Sequence, residues 1–450
     1  MKRPPRIAVV GAGIAGLGAA HTLSGPARVT LFEAADWFGG HAHTVDVTLP
    51  VGDRLVTHGV DTGFLVYNDR TYPNLINLFA QLGVPTAESD MSFSVQVPAA
   101  LAGGRPLEWS GSSLATVFAQ PRNLVRGPFL RMLADILRFN AVASRLARRG
   151  DDAGLAQPLG DFLDAHRFSA AFRDWYLLPM TGCIWSCPTG QMLAFPVGTL
   201  IRFCHNHGLL QISDRPQWRT VAGGARQYVA RIVERLTDVR LATPVRRIER
   251  LTDGGVRVLT DDRAERFDEV VLATHAPQAL ALLADADAAE QEALAPLRTH
   301  DNLAVLHTDA SVLPARRSAW AAWNYERAVR EASERGHVCL HYLINRLQPL
   351  PWPQPVIVSL NPVRNIEARH VIGQWRYAHP VFDLAAVAAQ RALPGIQGRR
   401  HTWFCGAWTG YGFHEDGLRS GLTVAGALLR RYGGGATPAH TAHPLEAAAA

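Results

Sequence analysis

The chain has 450 residues, of which 48% are hydrophobic and 19% charged, so a largely disordered protein is excluded and two or three domains fit. Its net charge of +6 comes from 45 basic and 39 acidic residues, and Lys2 is the only lysine, which excludes any mechanism that needs an interior lysine. No apolar run reaches the roughly 18 residues of a spanning helix, and five cysteines in so long a chain argue against a disulfide framework and for a reducing cytoplasm.

The chain opens with Lys2, Arg3 and Arg6 before an apolar run from Ile7 to Ala20, an imitation of a secretion signal. Glycines at nucleotide-fold spacings mark that run as structure instead. Arg6 to Val10 reads as a buried strand, Gly11 to Leu23 as a tight turn entering a helix, and Val29 to Glu33 as a second strand. Asp69 to Leu82 has helical periodicity. Two strand-like pieces follow Ser89, then a long helix from Pro128 to Arg149 and an aromatic-rich stretch from Phe162 to Phe203. Val239–Val245, Val256–Thr260, Glu269–Ala273, Asp301–Leu306, His337–Leu343 and Val356–Leu360 read as strands. Thr402–Cys405 is the last of them, before a glycine-rich turn and a helix from Leu418 to Arg431.

Ile7 to Gly16 is a strand running into G-x-G-x-x-G. Gly11 permits the tight turn, Gly13 lets the backbone approach a pyrophosphate, and Gly16 lets helix and strand pack closely. The helix N-terminus then offers free N–H groups and partial positive charge to phosphates. Glu33 ends the next strand, 17 residues after Gly16, where a carboxylate can bind ribose hydroxyls. Strand, glycines, helix, strand and acid in that order predict a dinucleotide site.

Six residues after Glu33 stands Gly39-Gly40-His41-Ala42-His43-Thr44, and then Asp61-Thr62-Gly63-Phe64. Here the chain resembles the flavin-containing amine oxidase and phytoene desaturase superfamily, whose members carry a Gly-Gly-Arg-x-x-Thr-like segment beside the FAD. Three more segments are similar in order: Thr243-Pro244-Val245-Arg246-Arg247-Ile248, Asp268 to Thr274 with Pro277, and Phe404-Cys405-Gly406-Ala407-Trp408 followed by Gly417 to Gly421. The resemblance implies FAD as cofactor, held by Gly11, Gly13, Ala15, Gly16, Glu33, Ala34, Gly39, Gly40, His41, Thr44, Gly63, Phe64, Val245, Ala273, Gly406, Trp408, Gly417 and Leu418. Gly63-Phe-Leu-Val-Tyr-Asn68, Arg215 to Arg219 and Gly410 to Gly417 further resemble bacterial FAD-dependent oxidoreductases associated with fatty-acid modification. Two departures stand out. His41 replaces the family arginine, and the interior lysine of the amine oxidases is missing.

The implied reaction is hydride transfer from a lipophilic substrate, a fatty acyl chain or related lipid, to flavin N5, with desaturase-like chemistry. The alternatives are an amine or amino-acid oxidase that releases peroxide, and a non-catalytic FAD-binding redox protein. Proton exchange points to His414, Glu415 and His43, with Tyr67 as a hydrogen-bonding group; His41 and His275 are further candidates. Asp416 suits a helix cap. Trp175 to Trp185 reads either as a pocket wall for a lipophilic substrate or as ordinary core. Cys183 and Cys187, with no second pair, predict no metal site, and Cys204, His205 and His207 read as structural.

Arg131, Arg138 and Arg145 recur every seven residues beside Leu130, Leu133, Ile136, Leu137 and Val142. Two readings of 128–150 stay open: a solvated face opposite the core, or a segment lying at an anionic lipid surface, which would seat a cytoplasmic protein at the inner membrane face. No base-reading motif supports a nucleic-acid partner. The expected fold is α/β with α+β insertions. A Rossmann-like FAD-binding domain would be assembled from 1–88, 216–290 and 398–434, a discontinuous substrate domain from 89–215 and 291–397, and 435–450 would form a disordered tail.

Overall fold

The computed structural model describes residues 3–101, 104–149, 155, 157–211, 215–328 and 337–433; the expected tail lies outside them. Its centre is a five-stranded parallel sheet in the order Asp238–Arg240, Arg28–Phe32, Arg6–Val10, Glu269–Leu272 and Thr402–Phe404. Ile7 to Val10 are buried on both faces, as a central parallel strand requires. The fold is thus α/β, with a Rossmann-like sheet gathered from three separated stretches of chain.

A seven-stranded mixed sheet draws on 93–110 and 299–380, with the order Val371–Pro380, Thr299–His307, Ile357–Leu360, Cys339–Leu343, Trp323–Glu326, Phe93–Leu101 and Arg105–Ser110. One face, including Val95, Tyr325, Leu340 and Val358, joins the helices between 127 and 206 in the largest apolar core. The opposite face carries a buried polar chain. Glu326 accepts from Nε2 of His341 at 3.0 Å, and Ser359 lies 2.7 Å from His341 Nδ1 and 2.7 Å from His307 Nε2. The Asp309 N–H donates to His307 Nδ1, and Arg364 pairs with the other Glu326 oxygen at 2.8 Å. Every polar atom of this chain has its partner, as buried groups require. Cys339 also reaches His341, so these side chains cluster with metal-ligand types, although sequence spacing pointed to none. Both His341 nitrogens are engaged by neighbours.

Of the boundaries that differ from the sequence expectation, three have a clear local reason. Val239–Val245 is not one strand: Asp238–Arg240 ends the parallel sheet and Val245–Arg250 begins a three-stranded antiparallel one. Between them Ala242 has φ +46° and Pro244 has no N–H to donate. The helix expected from Asp69 starts at Pro73, because Asn68 Oδ1 captures the N–H groups of Arg70 and Thr71 at 2.9 Å in a local turn. The last helix starts at His414 and not Leu418, since the Asp416 carboxylate reaches back to the Phe413 N–H at 3.0 Å. A hairpin, Thr44–Val51 with Arg54–Asp61, went unread although Val45, Val47, Leu49 and Val51 alternate ahead of a Gly52-Asp53 turn. Among the described residues no helix is long and apolar enough to cross a membrane.

The opening helix Ile14–Leu23 and the closing helix His414–Arg431 cross at bare backbone. A Cβ on Gly421 would sit 2.1 Å from the Ala15 carbonyl oxygen, and one on Gly18 would sit 2.6 Å from Leu418 Cδ1. Gly421→Ala must therefore separate the helices at a cost of at least about 1–3 kcal/mol, while Gly190→Ala, whose added methyl meets nothing within 4 Å, should be near neutral. Thermal unfolding of the two variants beside the parent checks this; equal Tm values would remove the close crossing.

Candidate functional site

The glycine turn is built by exclusion. Gly11 has φ +100° and donates its N–H to Phe32 O at 2.8 Å; a Cβ on Gly16 would fall 1.9 Å from Gly11 O. Gly13 differs from both: a Cβ there would meet nothing within 4 Å, so the chain itself does not require a glycine. The opening helix has neither a capping side chain nor an acid in its first turn, and its first intrahelical bond runs from Leu17 N to Gly13 O. Its first N–H groups thus have neither a helical acceptor nor a capping side chain, and they form the positive end of the helix. Glu33 closes one side, accepting from Ala12 N at 2.8 Å and Ala35 N at 2.9 Å, and Gly39 N bonds Ala12 O at 2.9 Å. Gly40 packs its Cα side on Gly13, Ala34 is exposed, and Val245 sits buried at the head of its strand. This cradle has the donors and the room for a diphosphate, with a carboxylate beyond it for ribose hydroxyls.

From Gly40 the chain runs into a cluster of rings. His41 lies among His379 at 5.1 Å, Tyr377 at 5.2 Å and His275 at 6.0 Å. Its Nε2 is buried and has no hydrogen-bond partner within the protein, while burial, reinforced by the neighbouring imidazoles, holds its pKa well below the ordinary value. An orphaned nitrogen of this kind fits a site that a further group completes. His43 stacks on Trp37 at 4.3 Å, and its Nδ1 meets the Tyr377 hydroxyl at 2.9 Å; burial lowers its pKa too. Gly63 is required by sterics, since a Cβ would lie 2.3 Å from His41 O. Phe64 donates its N–H to that same oxygen at 2.7 Å and stacks its ring on His414 at 3.7 Å. His414 Nε2 and the Tyr228 hydroxyl share a hydrogen bond of 2.7 Å, and burial pushes the His414 pKa down to about 3, so it stands as a neutral imidazole.

The remaining candidates have structural partners. Thr44 Oγ1 bonds Asp61, whose pKa burial raises to about 7, and accepts from Arg226 N. Ala273 N bonds Val10 O, Gly406 N bonds Ser420 Oγ, and the buried Trp408 donates to Thr274 O at 2.9 Å. Gly417 approaches Ile14, and Leu418 is fully buried over Gly18. His275 heads the helix Ala276–Leu282, donating its N–H to Gln278.

Of the four groups nominated for catalysis, the structure brings His414 and His43 to the ring cluster and keeps two away. Tyr67 is 3% exposed, edge-on to Tyr72 and Phe79 in the core. Glu415 is spent on the start of the helix Pro73–Leu82, accepting from Asn74 N, Asn74 Nδ2 and Leu75 N at 3.0, 2.7 and 3.0 Å. Cys187 and Cys204 are buried thiols with pKa values pushed up to about 12 by desolvation. Tyr228, Tyr377 and His379 were missed; they come from a helix and a strand with no local signature and are recognisable only through the partners they meet.

The family model of flavin-containing amine oxidoreductases matches residues 14–308. The carotenoid phi-ring synthase of Streptomyces griseus is 29% identical over 289 residues, 60% of this chain and 52% of that protein. The chain spans about half the length of the curated relatives it matches. Among solved structures, the CLA-producing fatty acid isomerase from P. acnes has a TM-score of 0.64 at 17% identity, covering 96% of this chain and 99% of that one. Cyclohexylamine oxidase from Brevibacterium oxydans has a TM-score of 0.66 at 16% identity, covering 96% and 100%. At those identities the likeness is one of fold.

A neutral His414 links stability to pH. Its folded pKa, about 3, lies below the ordinary imidazole value of 6.5, so its packing is fully stabilising above pH 6.5 and the advantage is lost as pH falls towards 3. His414→Gln should therefore melt below the parent at pH 8, and the gap should narrow at pH 4. A gap that widens in acid would contradict the assignment.

Proposed function

The chain belongs to the flavin-containing amine oxidoreductase family and its cofactor is FAD, and from this we propose that it is an oxidoreductase acting on a lipophilic substrate, a fatty acyl chain or related lipid. When bound, FAD supplies a two-electron acceptor for hydride from a substrate carbon. The rest is for the chain's own residues to do. The glycine turn at Gly11–Gly16 and the opening helix would hold the diphosphate, Glu33 the ribose, and His41 would give its orphaned Nε2 to the cofactor. On this reading the parallel sheet with 1–88, 216–290 and 398–434 serves the cofactor, and 89–215 with 291–397 serves the substrate.

The observation that carries the substrate class is a half-buried ring backed by aromatic core. Phe413, directly before His414, stacks on Phe203 at 4.8 Å, and Phe203 lies 4.7 Å from Trp185; the last two are buried in the main core, so of the two readings of Trp175 to Trp185 the structure favours core for Trp185, and only Phe413 offers a surface. The Trp185 indole is bolted to Tyr411 O at 3.2 Å. Such a ring offers an acyl chain dispersion contact and gives an ammonium no carboxylate partner, since Glu415 and Asp416 are already engaged. Each imidazole has one nitrogen on a tyrosine hydroxyl, His414 Nε2 on Tyr228 at 2.7 Å and His43 Nδ1 on Tyr377 at 2.9 Å, so both remain candidates for the base. Names among the similar proteins point both ways, to a fatty acid and a carotenoid and to an amine, which keeps amine oxidation as the second reading. Contact with a membrane surface through 128–150 belongs to the first.

Anaerobic mixing of the yellow holoprotein with fractionated lipids and with amines separates these readings. Bleaching of the flavin by a lipid fraction is expected; bleaching by amines alone would reverse the ranking, and no bleaching by either would leave a redox-inert flavin protein.

Gly13→Ala gives a second test. The methyl meets no protein atom and Gly13 has φ −69°, so the apoprotein should fold with unchanged Tm, yet FAD affinity should fall about tenfold or more because the added carbon occupies the diphosphate's approach. Fluorescence titration of apoprotein with FAD reads this directly, and undiminished affinity would refute the cradle.

A further inference from the structure

The surplus positive charge is not spread along the chain. Residues 111–149 hold seven arginines and one acid, Asp135, a balance of +6 that equals the net charge of all 450 residues, so the remainder sums to zero. Asp135, buried on the inner side of the helix Gly127–Arg149, is ion-paired with Arg131 and Arg138 at 3.3 and 3.0 Å, which leaves the other five arginines without that acid. Arg122, Arg145 and Arg148 stand exposed.

The same segment turns aliphatic side chains into water. In the short helix Leu114–Val117 and the 3-10 turn Pro121–Val125, Leu114 is 80% exposed, Leu124 55% and Val125 85%. The backbone beneath them is not loose. Val117 and Phe118 pack on the main core, Asn123 is buried, and Phe129 and Met132 fasten the helix that follows. Exposed aliphatic groups on an anchored, arginine-studded edge are a costly arrangement in water, and they match a medium with an anionic rim and an apolar interior.

We propose that this edge docks on an anionic phospholipid bilayer, with Leu114, Leu124 and Val125 entering the headgroup layer and the arginines engaging lipid phosphates. The wedge is the turn and the short helix, and the helix Gly127–Arg149 continues it with arginines and the exposed Leu130 and Leu137. Guanidinium forks suit phosphate oxygens, and attraction of this kind weakens with salt. Aliphatic tips in place of stacking aromatic rings disfavour single-stranded nucleic acid. The inference rests on the lipophilic-substrate reading only for its purpose, because a docked enzyme meets its substrate at the bilayer.

The test is co-sedimentation of the holoprotein with phosphatidylcholine vesicles, with and without phosphatidylglycerol, over a salt series. Binding that requires phosphatidylglycerol and falls with salt is expected, and Leu114→Asp with Val125→Asp should reduce it about tenfold or more. Both sites are exposed enough that the double variant should keep the parent's Tm and flavin spectrum. Val125→Cys gives a second readout, since all five native cysteines are buried and only the new thiol should take an environment-sensitive dye, whose emission should shift to the blue with anionic vesicles. No phosphatidylglycerol-dependent binding, binding that the double variant retains, a dye that stays in water, or binding to duplex DNA in place of vesicles would each overturn the proposal. Flavin bleaching by lipid in detergent solution tests the substrate reading without a bilayer, so the two failures are separable.

Discussion

The site depends on one close approach. Where the opening and closing helices cross, Gly421 lies over the Ala15 carbonyl and Gly18 under Leu418, at separations that any side chain would prevent. That contact brings the Gly406–Gly417 turn onto the glycine loop at 11–16, residues some 400 positions away in sequence. It also sets His414, the first residue of the closing helix, against Phe64 and Tyr228. Without it the parallel sheet could still form from its strands, but the cradle and the ring cluster would not share one surface.

Two buried polar groupings in the molecule differ in how far they satisfy themselves. Along the seven-stranded sheet, Glu326, His341, Ser359 and His307 satisfy one another, and burial leaves His307 neutral with a pKa of about 4. The network is complete as it stands and needs nothing from outside. In the ring cluster, His41 keeps a buried nitrogen unmatched among His275, His379 and Tyr377. An unmatched group of that kind costs roughly 1–3 kcal/mol, which is tolerable where something else arrives to meet it. The chain's lack of lysine beyond Lys2 sharpens the contrast, because this interior has no ammonium to serve as the missing partner.

What was legible in the sequence follows from where the constraint is local. Gly11, Gly16 and Glu33 could be read because backbone sterics at a strand–turn–helix junction admit few alternatives, and the opening strand was placed at its observed bounds, Arg6–Val10. The turn at Asn68 and the break at Ala242–Pro244 were missed because a hydrogen bond and a positive φ, not hydrophobic period, decide them. Residue type nominated Glu415 beside His414 for proton exchange, and Tyr67 as a hydrogen-bonding group. Type does not reveal that Asn74 and Leu75 claim the carboxylate, or that Tyr72 and Phe79 enclose the phenol. Tyr377 and His379 lie on a strand that reaches the site from the other sheet, which local patterning does not announce.

The interleaved route of the chain has a consequence for biogenesis. The parallel sheet takes its strands from 6–32, 238–272 and 402–404, and the closing helix that packs on the opening one comes last, with Gly417 against Ile14 and Gly421 against Ala15. A ribosome delivers these stretches in order, with the helical and seven-stranded regions emerging between them. Early-emerging units generally fold first, but the opening βαβ unit finds its cover in instalments, from 73–82, then 226–232, then the last helix. The opening unit thus spends the longest part of synthesis with the face that meets Leu418, Val424 and Leu428 unfilled.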